Sequence, residues 1–284
     1  MKLRKLLTCE HETTRNPQVN DLRHKMTREF EHIRFQIDDR VARVTFMRPP
    51  LNIFNIAMMG EIGDALNDCA QASGLGAIVF DAAPDARAFS AGVAVEEHVP
   101  ETVFQMLDSF HSIFRLLTQI SKPVIAVVDG PALGGGCELV AACDIVIASE
   151  RARFGQPEIK LGVFPPVAAI LLPRIIGEKR ARELILTGDM IDSEEALRLG
   201  LVSHVTTSAE LEQKTQSVLG KLRELSASSL GLTRAALELG RGQSFESALA
   251  EVEDLYLHEL MKTEDANEGV RAFMEKRKPE WRNK

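Results

Sequence analysis

The chain has no excess of basic charge: 34 Lys and Arg stand against 41 Asp and Glu, a net charge of −7. It therefore offers no positive field to gather nucleic acid or an anionic membrane. It also lacks a long apolar run. The longest stretch without charge, 161–173, is too short to span a bilayer and is interrupted by Pro165, Pro166 and Pro173. The opening residues, MKLRKLLTCE, begin basic but carry no sustained apolar segment, so no secretory signal is expected and a cytoplasmic location is. Cysteine is scarce. Cys9, Cys69, Cys137 and Cys143 show no CxxC spacing and no paired histidines, which reads as reduced thiols filling a core, with no metal site. Gly134, Gly135 and Gly136 are not followed by Lys-Ser or Lys-Thr, which excludes a P-loop, and their spacing is not the dinucleotide fingerprint.

What remains is an ordinary globular composition, 45% hydrophobic and 26% charged in 284 residues, enough to bury a full core. Residues 1–32 are polar and mixed in charge, without a sustained period, and read as an extension. Alternation at Ile33, Phe35 and Ile37, a turn at Asp38-Asp39 and an apolar run over 41–46 predict a β-hairpin. Arg48-Pro49-Pro50 stops it. A loop at 51–55 leads to a helix over 57–72 with Met58, Ile62, Leu66 and Cys69 on one face.

The order then recurs as strand, loop, helix: a strand over 77–80, a small-residue loop over 88–93 and a helix over 101–120. The stripe Phe110, Ile113, Phe114 and Leu117 on that helix reads as core. A strand over 123–128 enters the glycine corner, with a helical segment over 137–143, a strand over 145–148 and a helix from 167 toward 172. Strands alternating with helices imply an α/β fold with a mainly parallel sheet. Beyond residue 209 the character changes to amphipathic helix, in three segments over 210–225, 245–261 and 265–276. The expected division is a core over 33–208 and a helical region over 209–284.

The organising stretch is 129–158. A helix that opens on glycines presents unpaired backbone N–H groups and the positive end of its dipole, and glycine allows close approach. Such a corner suits a phosphate, a carboxylate or a developing oxyanion, although a tight turn without a ligand explains three glycines equally well.

Three loops together are far more specific. Ala88-Phe89-Ser90-Ala91-Gly92-Val93, the run from Gly130 to Leu139, and Phe154-Gly155-Gln156-Pro157-Glu158 resemble the crotonase (enoyl-CoA hydratase/isomerase) superfamily in order and spacing. The resemblance extends over about 33–281 and includes Leu186-Thr187-Gly188 and Leu199-Gly200-Leu201-Val202. It implies a spiral of ββα turns with a C-terminal helical region used to form trimers, commonly paired into hexamers, and an acyl-coenzyme A substrate. It further implies an oxyanion hole made by the amides of Val93 and Gly135, with Glu138 activating water and Glu158 protonating the substrate carbon. Coenzyme A, as part of the substrate, would lie along Leu51, Asn52 and Ile53 and along Val93, Ala94 and Val95. Phe273 and Lys276 would reach the coenzyme A of a neighbouring subunit. No cofactor beyond it, no flavin, nicotinamide or metal, is implied.

Two glutamates favour hydration over isomerisation, for which family members often use one carboxylate. The chain departs from fatty-acid hydratases at Ala94, where they carry aspartate, and over 161–169, where Phe164, Pro165 and Pro166 replace a glycine-rich segment. Pro49-Pro50-Leu51-Asn52-Ile53, Phe89-Ser90-Ala91-Gly92-Val93 followed by Glu97-His98-Val99-Pro100-Glu101, Phe110-His111-Ser112-Ile113-Phe114 and Phe164-Pro165-Pro166-Val167-Ala168 resemble the cyclohexa-1,5-diene-1-carbonyl-CoA hydratases of aromatic compound degradation, in which an acidic residue often stands at the position of Ala94. Ser90 with His98 and His111 lacks the context of a hydrolase nucleophile. An RNA-binding relative is disfavoured by the acidic balance.

Overall fold

The computed structural model describes residues 26–284. Its main sheet has seven strands in the order β1-β2-β3-β4-β5-β7-β10. The strands are β1 Met26–Glu29, β2 Ile33–Asp38, β3 Val41–Phe46, β4 Ala77–Ala82, β5 Val124–Val128, β7 Ile145–Ser149 and β10 His204–Thr206. β1, β2 and β3 pair antiparallel, and from β3 to β10 every pairing is parallel. The β2–β3 hairpin turns on Asp39 and Arg40, both at positive φ, one residue later than the sequence implies. β1 falls before residue 33, so the sheet reaches into what reads in sequence as an extension; the rest of that stretch, 1–25, lies outside the described residues.

Parallel strands need crossovers, and two long helices supply them. α1 (Ile56–Gln71) links β3 to β4 and α2 (Val103–Gln119) links β4 to β5. Both turn apolar stripes onto one face of the sheet, where Phe35, Phe46, Phe54, Phe80, Met58, Ile62, Phe110 and Ile113 share one core. All five side chains of β5 are buried, as expected of a strand covered on both faces. The second face is covered by α7 (Leu211–Arg223), whose Leu211 and Leu219 pack on Val41, Val79, Ile125 and Ile147. The expected division at 208/209 thus falls beside a helix that belongs to the core packing.

A second sheet of three short strands, β6 (Pro131–Leu133), β8 (Arg153–Gly155) and β9 (Met190–Asp192), carries the site loops away from β5. Around it stand α3 (Gly135–Ala141), α4 (Pro166–Ile175), α5 (Glu178–Thr187) and α6 (Ser193–Leu199). The C-terminal part adds α8 (Ala227–Leu239), α9 (Phe245–His258) and α10 (Glu264–Met274). Four helices, α7 to α10, therefore follow residue 209 where the sequence reading has three. Buried Arg234 ties α8 to the sheet side: it pairs with Asp144 at 2.7 Å and donates to the carbonyls of Leu117 and Ile120. The tail after α10 folds back. Asp265 accepts from the amides of Arg282 and Asn283, and the Trp281 indole donates to the Glu224 carbonyl at 2.8 Å. Among the described residues no helix is long and apolar enough to cross a membrane.

Candidate active site

The loop after β4 is braced before it can present anything. Asn52, wholly buried, accepts from the Arg48 amide and donates to the carbonyls of Ala88 and Phe89. Its own amide donates to the Arg48 carbonyl, and its own carbonyl accepts from the Ser90 hydroxyl. Asn52 is thus a strut of the loop, with its amide and side chain engaged inside the protein. Ser90 is equally buried and engaged, which removes it as a nucleophile.

Phe54 then fixes Val93. The Phe54 amide donates to the Gly92 carbonyl and the Ala94 amide donates to the Phe54 carbonyl, both within 2.9 Å. Val93, between these two bonds, turns its own N–H away from Phe54. Ala94 has its amide engaged in this bridge, so it offers a ligand no donor. Glu97 holds the next turn by accepting the Ile56 amide at the start of α1.

The glycine corner closes against this loop, and each glycine meets a different neighbour. A Cβ on Gly134 would stand 2.5 Å from Glu158 Oε1, and φ there is +51°. One on Gly135 would stand 2.8 Å from Val93 Cγ2 and 2.9 Å from Phe110 Cζ; one on Gly136, 2.6 Å from the Ser90 carbonyl oxygen. Gly92, at φ +106°, approaches the Gly135 nitrogen to 3.5 Å from its own Cβ site. The Gly134 amide donates to Gly155 and the Glu138 amide to Gly134, whereas the amides of Val93 and Gly135 have no acceptor among the described residues.

Val93 and Gly135 border a cavity of about 340 Å³. Its walls are Val93 and Val95 from the loop, Val103, Met106, Leu107 and Phe110 from α2, and Leu161 to Pro166. Phe110 therefore serves both core and cavity, a role its helical period does not show. Only three lining residues have polar side chains: Glu138, Glu158 and His98. His98 Nδ1 lies 2.9 Å from the Ala94 carbonyl, an acceptor, so Nδ1 carries a proton.

The two carboxylates differ in their partners. Glu138, only 2% exposed, accepts at Oε1 from the amides of Val167 and Ala168, each 2.8 Å away, at the start of α4. Burial raises its pKa to about 7, the charge of Glu158 adds to the rise, and the two amides oppose it. Glu158 sits on the short helical turn Pro157–Leu161. Its Oε2 is buried without a hydrogen-bond partner, and burial raises its pKa to about 7 as well.

Of the remaining expected contacts, Val95 is exposed and lines the cavity, while Leu51 is exposed outside it. Phe273 on α10 is 86% exposed and Lys276 follows that helix at positive φ, neither lining the cavity of their own chain. No cluster of three or more His, Cys, Asp or Glu among the described residues is placed to hold a metal ion.

Two carboxylates thus line one apolar cavity, together with two residues whose amides have no acceptor among the described residues. The chain belongs to the enoyl-CoA hydratase/isomerase family, whose pattern matches residues 36–284, and it is an enzyme of the enoyl-CoA hydratase type. It is 38% identical to a cyclohexa-1,5-dienecarbonyl-CoA hydratase of Thauera aromatica over 87% of this chain and 95% of that one. It is 40% identical to a probable enoyl-CoA hydratase of Mycobacterium leprae over 85% and 94%. Among solved structures, enoyl-CoA hydratase subunit I of Geobacillus kaustophilus matches with a TM-score of 0.83 at 32% identity, over 90% of this chain and all of that one. The fold is the crotonase fold.

Proposed function

We propose that the chain adds water to a conjugated enoyl-CoA thioester, and that its preferred acyl group is a compact cyclic diene such as cyclohexa-1,5-diene-1-carbonyl. The observation that carries the hydration reading is the pair Glu138 and Glu158 on one cavity beside the amides of Val93 and Gly135. The thioester oxygen would accept from both amides, and the charge it gains in the enolate would strengthen both bonds. One such donor is worth about 2.7–4 kcal/mol of barrier. Glu138 has two amides and a helix dipole favouring its anion, which suits a base that takes a proton from water. Glu158 has a bare oxygen in a dry setting, which suits an acid that gives a proton to the carbon next to the thioester. One proton leaves the water, its oxygen bonds to the far carbon of the double bond, and one proton arrives at the near carbon.

The cyclic preference rests on the wall from Phe164 to Pro166, stiff and apolar, and on the likeness to the Thauera aromatica hydratase. Coenzyme A would run along the backbone of Leu51, Asn52 and Ile53 and of Val93, Ala94 and Val95, with Phe273 and Lys276 contributed by a neighbour in a homotrimer or a dimer of trimers. The exposed Phe245, Tyr256, Leu257, Phe273 and Met274 of the C-terminal helices support such an assembly.

Glu158→Gln tests the acid. Loss of hydration by about 10²–10⁴-fold is expected; unchanged turnover would refute it. A panel of crotonyl-CoA against cyclic mono- and dienoyl-CoA thioesters tests the acyl group. Faster turnover of crotonyl-CoA would make this a general short-chain hydratase, and solvent deuterium uptake without net water addition would make it an isomerase.

A further inference from the structure

The start of α4 has a complete donor account. Pro165 precedes the helix and Pro166 opens it, and neither has an N–H. The Val167 and Ala168 amides both go to Glu138 Oε1, and the Ala169 amide makes the first intrahelical bond, to the Pro165 carbonyl. A helix normally opens with several unpaired amides. Here every one that exists in the first turn is spent on a single carboxylate oxygen 29 and 30 residues away in sequence. Glu138 Oε2 has no hydrogen-bond donor among the described residues.

We propose that Pro166 is a positioning residue for Glu138: by withholding the first amide of α4 it leaves Oε1 anchored and Oε2 without a donor. The inference rests on Glu138 being the base in the reading above. Pro166 opens α4 directly before the two amides that hold Glu138 Oε1 and lines the same cavity, so an N–H at this position would add a third donor to the helix end that faces the carboxylate. A third donor would favour the anion and make it a weaker base. The titratable groups that share this setting are Glu158 across the cavity, His98 on the loop wall and Cys137 beside Glu138 on α3. α4 itself carries one charged side chain, Arg174 in its last turn.

The test compares Pro166→Ala with Pro165→Ala. Both remove a ring and loosen the same turn, but only the first adds a donor to the helix opening, because the residue at 165 is extended. Carboxyl titration by NMR on protein labelled with ¹³C-glutamate is expected to show one midpoint lowered by about one pH unit in Pro166→Ala and unmoved in Pro165→Ala. The acidic limb of the hydration rate should move the same way, with plateau kcat down about three- to tenfold. Unmoved midpoints in Pro166→Ala, or equal shifts in both variants, would reduce the doublet to a stiffener and overturn the proposal. Pro166→Gly supplies the same amide if the alanine variant folds poorly. The NMR readout needs no turnover, so failure of the base assignment, shown by unchanged hydration in Glu138→Gln, is separable from failure of this one.

Discussion

Glu138 and Glu158 show how one residue type is given two behaviours by its surroundings. Each is raised from an ordinary carboxyl value of 4.5 to about 7 by burial. A carboxyl that holds its proton more tightly folded than unfolded stabilises the fold fully below about 4.5, and that contribution is lost as the pH rises to about 7. Above that window the site costs stability. Replacing Glu158 with glutamine removes the charge, so the variant is expected to melt higher than the parent at pH 8 and to show a flatter pH dependence between 4.5 and 7. The gain is on the order of 1–2 kcal/mol and is checked by thermal melts across that range. If the pair serves the reaction proposed above, its cost is the expected trade-off of activity against stability.

Elements differ in how plainly the chain spells them. The hairpin and α1, α2 and α7 follow from alternation and helical stripes, because each buries a regular set of side chains. α5 buries only Ala181 and Leu184, and α8 opens Ala-Ser-Ser with Gly231 inside, so neither has a stripe to read. β6, β8 and β9 are three residues each, too short for any period. α4 runs through Pro173 to Ile175, past the stop near 172 that the sequence implies. At the site the loop motifs name both glutamates, and nothing local shows that α4 reaches back to Glu138 or that Glu97 caps α1 from 41 residues away. Such long-range pairings are set by topology, as are the roles of Asn52, His98 and Phe110. The glycine corner makes the same point energetically. Gly136→Ala would drive a methyl into the Ser90 carbonyl and Cβ, which belong to a buried residue that cannot swing aside as a flexible chain end could. It is expected to cost about 1–3 kcal/mol and to lower the melting temperature by several degrees, read by calorimetry.

At the scale of the molecule, the sheet, its crossovers and the loops they carry frame the cavity while the C-terminal helices leave large apolar side chains uncovered. Phe245 and Leu257 on α9 and Phe273 and Met274 on α10 are each more than half exposed, and large exposed apolar side chains mark interaction surfaces where they are contiguous. Sedimentation is expected to give a multiple of the 31.4 kDa chain. Phe273→Asp is expected to shift it toward the single chain and to raise KM for acyl-CoA more than it lowers kcat; unchanged mass and KM would exclude α10 from both roles.

The back-folded tail has a practical side. Its Trp281, the one indole in the sequence, packs its ring edge over Gly269 and bonds to Glu224, far along the chain from the cavity loops. Intrinsic fluorescence is therefore a clean lamp on a single seam: its colour and quenching report whether the tail is seated on α7 and α10, whatever the state of the two carboxylates.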